Sequence, residues 1–249
     1  LQFNRPDVLY DVPKMLLSSQ GPLALKWNYV PKLIPWFINY LKNFNTKSML
    51  HTAKYMHQIL SLSNDAYEEI FKDMDMTNLI EKKGIIYVWT NKNIKSRKLE
   101  IKVRNDLGIE QKLLTQKEIL ELEPNLNPVF DAGVIYEKAM HARDPHGILI
   151  KILKLFLKKG GKFIKEEIVS LKQISENQTI VNSEKSEYNF EKTVVASGAF
   201  SKVLTDQLGE KIPLDTERGY HVHFSNKDHL ISRPVIFLDR GFGMTPMNQ

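Results

Sequence analysis

The chain has 249 residues, of which 42% are hydrophobic, 10% aromatic and 26% charged, the profile of a folded globular protein rather than of a disordered, collagenous or coiled-coil chain. Its longest apolar runs are broken by Lys, Asn or Pro well short of the ~18 residues that span a bilayer, and the lack of cysteine excludes disulfides, thiolate metal centres and a cysteine nucleophile and fits a cytoplasmic setting. A formal charge of +6 does not mark a nucleic-acid partner, because Lys and Arg are interleaved with Asp and Glu along the whole chain.

Residues 1–30 carry the turn signals Arg5-Pro6, Val12-Pro13 and Gly21-Pro22 and predict an irregular surface segment without a signal-peptide pattern. Residues 31–44 place Leu33, Ile34, Phe37, Ile38 and Leu41 at helical spacing, with Pro31 and Pro35 near the first turn, and predict a short buried helix. Thr46 reads as the N-cap of a second helix running to about residue 74. Its apolar side, with Met49, Tyr55, Met56, Ile59, Leu60, Tyr67, Ile70 and Phe71, reads as a core face. His51 and His57 are out of step with the i, i+4 spacing that brings two imidazoles to one metal, so no zinc site is expected.

Residues 83–90 are β-branched and aromatic and predict a strand; residues 93–105 return to helical spacing, with a stop at Gly108. The basic cluster Lys92, Lys95, Arg97, Lys98, Lys102 and Arg104 reads as a solvated helix face. Thr115 and Glu118 form a capping box for a short helix to Leu122. A strand follows over 133–136. Asp144 then caps, and Pro145 opens, a helix with the apolar stripe Leu149, Ile152, Leu153, Phe156 and Leu157, ended by Gly160-Gly161.

Strands are predicted over 162–164 and 167–171, a weak meander up to 190, and a buried strand from Glu191 that runs into Ala196-Ser197-Gly198-Ala199. Strand, helix and strand in this order are the grammar of a parallel α/β layer. The final stretch, 241–249, reads as a strand entering a turn without its return strand, so a piece of a longer protein is expected.

The turn at 196–199 is where chemistry can sit. Small residues at the carboxyl end of a strand leave the backbone bare, so that a nucleotide or flavin can approach main-chain N–H groups. The plain alternative is a tight turn that needs glycine for its own conformation. No G-x-G-x-x-G and no Walker loop occurs in the chain.

Taken in order, Ala142-Arg143-Asp144-Pro145, Gly160-Gly161, the strand ending Glu167-Ile168, Val194-Val195-Ala196-Ser197-Gly198-Ala199-Phe200-Ser201, Pro213 and Glu217-Arg218-Gly219-Tyr220 resemble the FAD-dependent amino-acid oxidase and dehydrogenase superfamily. Upstream, Val12-Pro13-Lys14-Met15, Gly21-Pro22-Leu23-Ala24 and Leu33-Ile34-Pro35-Trp36 resemble its D-amino-acid dehydrogenase branch. In that family a glycine-rich fingerprint lies nearer the N-terminus than any of these motifs, and a flavin-closing segment with a substrate-binding arginine lies beyond the last of them. By itself the chain is therefore expected to bind FAD weakly or not at all.

The resemblance implies an α/β and α+β fold: a substrate domain over 1–139, part of a FAD-binding α/β layer over 140–213, and a return to a mixed or antiparallel substrate-domain sheet over 214–249. It implies FAD contacts at Ile168, Ala196, Ser197, Gly198 and Phe200, with Arg218 opening the strand that leads to the substrate domain. It further implies a substrate cavity bordered by His141, Tyr220 and Phe242. No residue receives a catalytic role, and no metal is expected; His221 and His223 share a strand face without a third ligand. The implied reaction is oxidation of a D-amino acid through hydride transfer to FAD. The implied electron acceptor belongs to the respiratory chain, with a peripheral membrane contact at the inner face. Two alternatives stand beside it, an oxidase of glycine, sarcosine or proline-type amines and a flavin-free α+β binding module.

Overall fold

The structure, a computed structural model, describes residues 28, 30–43, 45–90, 94–214, 216, 219–225 and 230–248. Arg218 and nearly all of the irregular segment expected over 1–30 lie outside the described residues. The chain divides into two compact units, Leu1–Leu155 with Ser225–Gln249, and Phe156–Phe224.

Among the described residues of the first unit are the helices α1 (Val30–Lys42), α2 (Thr46–Leu60) and α3 (Ser63–Phe71). The expectation that α1 is buried is not met: Ile34, Phe37, Ile38 and Leu41 are each between 39% and 50% exposed, and no core cluster among the described residues includes them. Among the described residues no helix is long and apolar enough to cross a membrane. Asn45, not Thr46, caps α2: it is extended, and its Oδ1 accepts the Ser48 N–H at 2.9 Å. The single helix expected to about residue 74 is interrupted at Ser61-Leu62, where the Ser61 hydroxyl donates to Gln58 O at 3.4 Å. The expected core face is also corrected. Met49 and Ala53 are buried against Val103 of α4 (Ile94–Asp106), while Tyr55, Met56, Ile59, Leu60, Tyr67 and Ile70 remain exposed, because one neighbouring helix covers only roughly a third of a helix circumference.

The basic face of α4 is likewise not fully solvated. Arg97 is 5% exposed and pairs with Glu100 at 2.8 Å and Asp239 at 3.3 Å, and Arg104 pairs with Glu100 at 3.3 Å. A guanidinium survives burial only where carboxylates meet it. Glu100 is supplied by helical spacing, Asp239 by a distant part of the chain.

The main sheet has the order β10 (Phe242–Met244), β9 (Val235–Phe237), β2 (Ile85–Trp89), β4 (Ala132–Tyr136) and β3 (Lys112–Thr115). Within it β2 and β9 run parallel and the other neighbours antiparallel. Strand alternation sends Ile86 and Val88, with Leu114, Ile135, Val235 and Phe237, into a core closed by Ile119 of α5 (Gln116–Leu122), Leu126 and Phe130. The capping box of α5 forms as expected: Thr115 N donates to Glu118 Oε2 at 2.8 Å, and Glu118 N to Thr115 Oγ1 at 3.3 Å.

Two features of this sheet depart from the sequence reading. β3 is a short edge strand hidden by its merger with the cap of α5. β10 is itself a return strand, antiparallel to β9, so its partner precedes it in the chain. A separate antiparallel pair joins β1 (Ile80–Glu81) to β5 (His141–Ala142), and Asp144 caps α6 (Pro145–Lys158) by accepting the Gly147 N–H at 2.8 Å.

The second unit is built on an antiparallel meander of β6 (Ile168–Ser175), β7 (Gln178–Ser183) and β8 (Glu187–Phe190), with Leu171 and Val181 buried, followed by a 3₁₀ turn (Gly198–Phe200) and α7 (Ser201–Gln207). The strands expected over 162–164 and from Glu191 to 196 do not form among the described residues; Phe163, Ile164 and Val194 are exposed. β-propensity makes a strand only where a hydrogen-bonded neighbour completes the ladder. Helices combined with sheets are nonetheless the fold class expected from the sequence, but the strand pairs formed over 140–213 are antiparallel and not the parallel layer that the order of strand, helix and strand predicts.

Candidate active site

The turn at 196–200 is positioned by its two flanks. Gly198 takes the left-handed conformation at φ +57°, with open space where a Cβ would stand, and Phe200 N donates to Ser197 O at 3.1 Å to tighten the turn. The Ser197 and Ser201 hydroxyls lie 3.4 Å apart. On the far side α7 is tied to β6 through one side chain, Gln207, whose Oε1 accepts the Leu171 N–H at 3.0 Å while its Nε2 donates to Val169 O at 3.2 Å. An amide that both donates and accepts thus substitutes for a strand neighbour on β6, the strand that begins at Ile168. Val194 and Phe200, at 88% and 76% exposed, present apolar surface beside a bare glycine turn. A planar, largely apolar group with hydrogen-bonding edges fits such a place, so these residues suit a flavin.

His141 and Phe242 belong to the other unit. His141 lies in β5 opposite Glu81 of β1, and both of its ring nitrogens are buried without a hydrogen-bond partner. Burial lowers its pKa, which keeps the imidazole neutral. Burial would push the Glu81 carboxyl up, but the bond and charge of Lys83 at 3.2 Å, with Arg143 at 3.3 Å, hold it below its ordinary value. Phe242 stacks on Phe237, centroids 4.8 Å apart and planes 15° from parallel.

Tyr220 lies in the second unit, exposed and outside any strand. The rings of His221 and His223 meet edge-on at 4.9 Å, and no group of three metal-ligating side chains occurs among the described residues. The expected flavin residues other than Arg218 thus fall together in one unit, and His141 and Phe242 in the other.

Sequence reading missed a cavity of about 480 Å³ in the first unit, lined by Ile85, Tyr87, Arg104, Tyr136 and Met140 among others. It opens on the sheet face opposite the core. Tyr87 and Tyr136 meet edge-on at 5.5 Å, and the Arg104 guanidinium lies 5.9 Å above the Tyr136 ring. Burial raises the pKa of both phenols, that of Tyr136 to about 12, so both stay protonated donors; Tyr136 donates to Gln111 Oε1 at 3.3 Å. The alternation of Ile85 and Tyr87 with Ile86 and Val88 was the available signal, but it marks a face without saying that the face is hollow.

A family model described as DAO, FAD dependent oxidoreductase, matches residues 28–249. A D-amino-acid oxidase of Bradyrhizobium diazoefficiens is 31% identical over 224 residues, covering 90% of this chain and 53% of the relative. A D-amino acid dehydrogenase of Vibrio atlanticus is 23% identical over 248 residues, covering 98% and 57%. Among solved structures, glycine oxidase from Bacillus cereus ATCC 14579 superposes with a TM-score of 0.53 at 19% identity, over 82% of this chain and 55% of that one, a likeness of fold. The chain spans about half the length of the curated relatives it matches.

Proposed function

The chain belongs to the DAO family of FAD dependent oxidoreductases, and from that premise we propose that the intact protein oxidises the Cα–N bond of a free D-amino acid to an imine, which water converts to the 2-oxo acid and ammonium. Bound FAD supplies the acceptor for the Cα hydride and its electron pair. The residues of this chain bind, orient and shield. The main chain at Ile168 and at Ala196, Ser197 and Gly198 holds the cofactor, and Phe200 covers it from water. Gln207 keeps the turn in register with β6. His141 faces the substrate as a neutral imidazole, with Phe242 of the same unit as an apolar wall.

The observation that carries this reading is the bare, glycine-containing turn flanked by exposed Val194 and Phe200 and fixed through Gln207. Electrons leave for a respiratory-chain acceptor, so the protein works in the cytoplasm at the inner face of the membrane. A second reading, with dioxygen as the acceptor, is favoured by the 31% identity to a relative named as an oxidase.

Anaerobic mixing of the full-length, flavin-loaded protein with single amino acids tests the proposal. D-amino acids are expected to bleach the oxidised flavin band while their L-enantiomers leave it unchanged. Purification without flavin, or bleaching by glycine, sarcosine or proline alone, overturns it. Hydrogen peroxide released in air selects the oxidase.

A further inference from the structure

Two buried nitrogens where β2 meets α4 have no protein acceptor. Trp89 and Arg97 are 4% and 5% exposed, and the Trp89 indole Nε1–H and the Arg97 Nε–H each find no hydrogen-bond partner among the described residues. The remaining guanidinium nitrogens of Arg97 are engaged, Nη1 with Glu100 at 2.8 Å and Nη2 with Asp239 at 3.3 Å. Trp89 ends β2 and Arg97 stands near the start of α4. Both line one small cavity of about 10 Å³, together with Glu100, Arg104, Val134 and Tyr136.

A buried donor without an acceptor is costly, and native folds supply one from the protein or from ordered water. Three properties of the cavity select its occupant. Its volume is about the smallest that admits a water molecule and leaves no room for an organic ligand. Both orphaned groups are donors, so the occupant must present two lone pairs at once. The charges around it balance, because Arg97 and Arg104 are matched by Glu100 and Asp239, and a halide would face the Glu100 carboxylate in the same lining. Water meets all three conditions. It can accept from both N–H groups and donate to Glu100, since a carboxylate offers about four lone-pair sites, and about three bonds are what a buried water makes.

We infer that this cavity is a binding site for a single water molecule, which accepts from Trp89 Nε1 and Arg97 Nε, donates to Glu100 and so joins β2 to α4. Through Arg97 the connection continues to Asp239, whose carboxylate also accepts from Thr90 N at 2.6 Å and from Thr90 Oγ1 at 3.0 Å. The end of β2, the start of α4 and the turn between β9 and β10 are thereby tied together at one point. The inference is independent of the flavin chemistry.

Crystals of the full-length, flavin-loaded protein, measured with and without a bromide soak, test it. One density peak is expected within about 2.7–3.2 Å of both nitrogens, with no anomalous bromide signal at that place. A protein oxygen bonded to either nitrogen, a bromide signal between them, or two bare N–H groups with no density between them overturns the inference. In solution, the Trp89 indole proton is the indole resonance missing from Trp89→Phe. It is expected to show cross-relaxation with water of the sign that marks a long-lived site, and an indole proton without that signal also overturns the inference. Should Trp89→Phe fail to fold, the wild-type density decides the matter alone.

Discussion

Gln207 shows how much a single polar side chain can organise. It satisfies one donor and one acceptor on the free flank of β6, and nothing in its sequence neighbourhood announced it, because its partners lie 36 and 38 residues upstream. Gln207→Leu is expected to destabilise the chain by about 1 kcal/mol, since solvent reaches the released groups. It should also lower the flavin retained by the full-length protein; urea unfolding and flavin absorbance measure the two effects.

His141 is the opposite case, because its position was legible from the Ala142-Arg143-Asp144-Pro145 context and its environment was not. Its folded-state pKa is depressed by burial from an ordinary value of 6.5. The unfolded chain therefore takes up the proton first. The contribution of neutral His141 is complete above the unfolded value and is lost as pH falls below it toward the folded-state value. Unfolding free energy should thus decline as the pH falls through the ordinary value of 6.5, and His141→Phe should flatten that decline.

Elements with local causes were readable in advance. The capping box at Thr115 and Glu118, the Asp144 cap and the strand alternation of β2 each depend on residues a few positions apart. Gly133 illustrates the other kind of cause. It reads as an ordinary strand residue, yet a Cβ there would lie 2.6 Å from Tyr87 O and 2.9 Å from Ile119 Cδ1, because the neighbouring β2 main chain and the Ile119 side chain of α5 both crowd β4 at that point. Gly133→Ala is expected to cost about 2 kcal/mol, because the β2 main chain at Tyr87 O must shift and the Ile119 side chain with it, seen as a lower melting temperature. An alanine at Gly108, where nothing lies within 4 Å of the added Cβ, controls for the effect of packing, its own cost arising from positive φ.

At the scale of the molecule, the segment from Glu191 to 197 has strand composition and no strand partner among the described residues. Amide hydrogen exchange over 193–197 should be fast in the 249-residue chain and slower by at least about tenfold in the flavin-loaded full-length protein. Equal protection in both would remove this segment from the cofactor layer.

The family and its fold class were legible because the order of short motifs survives along the chain, and so were the elements that local spacing specifies: α1, β2, the capped helices α5 and α6, and the turn at 196–199. Tertiary structure alone decided which strands find partners, that Arg97 reaches Asp239 across 142 residues, that Gln207 fastens α7 to β6, and that a cavity opens beside Tyr87 and Tyr136. The difference is physical. Spacing and capping act within a helical turn or a strand pleat, whereas ladder pairing, buried charge compensation and hollow space depend on which distant segments the folded chain brings within a few ångströms.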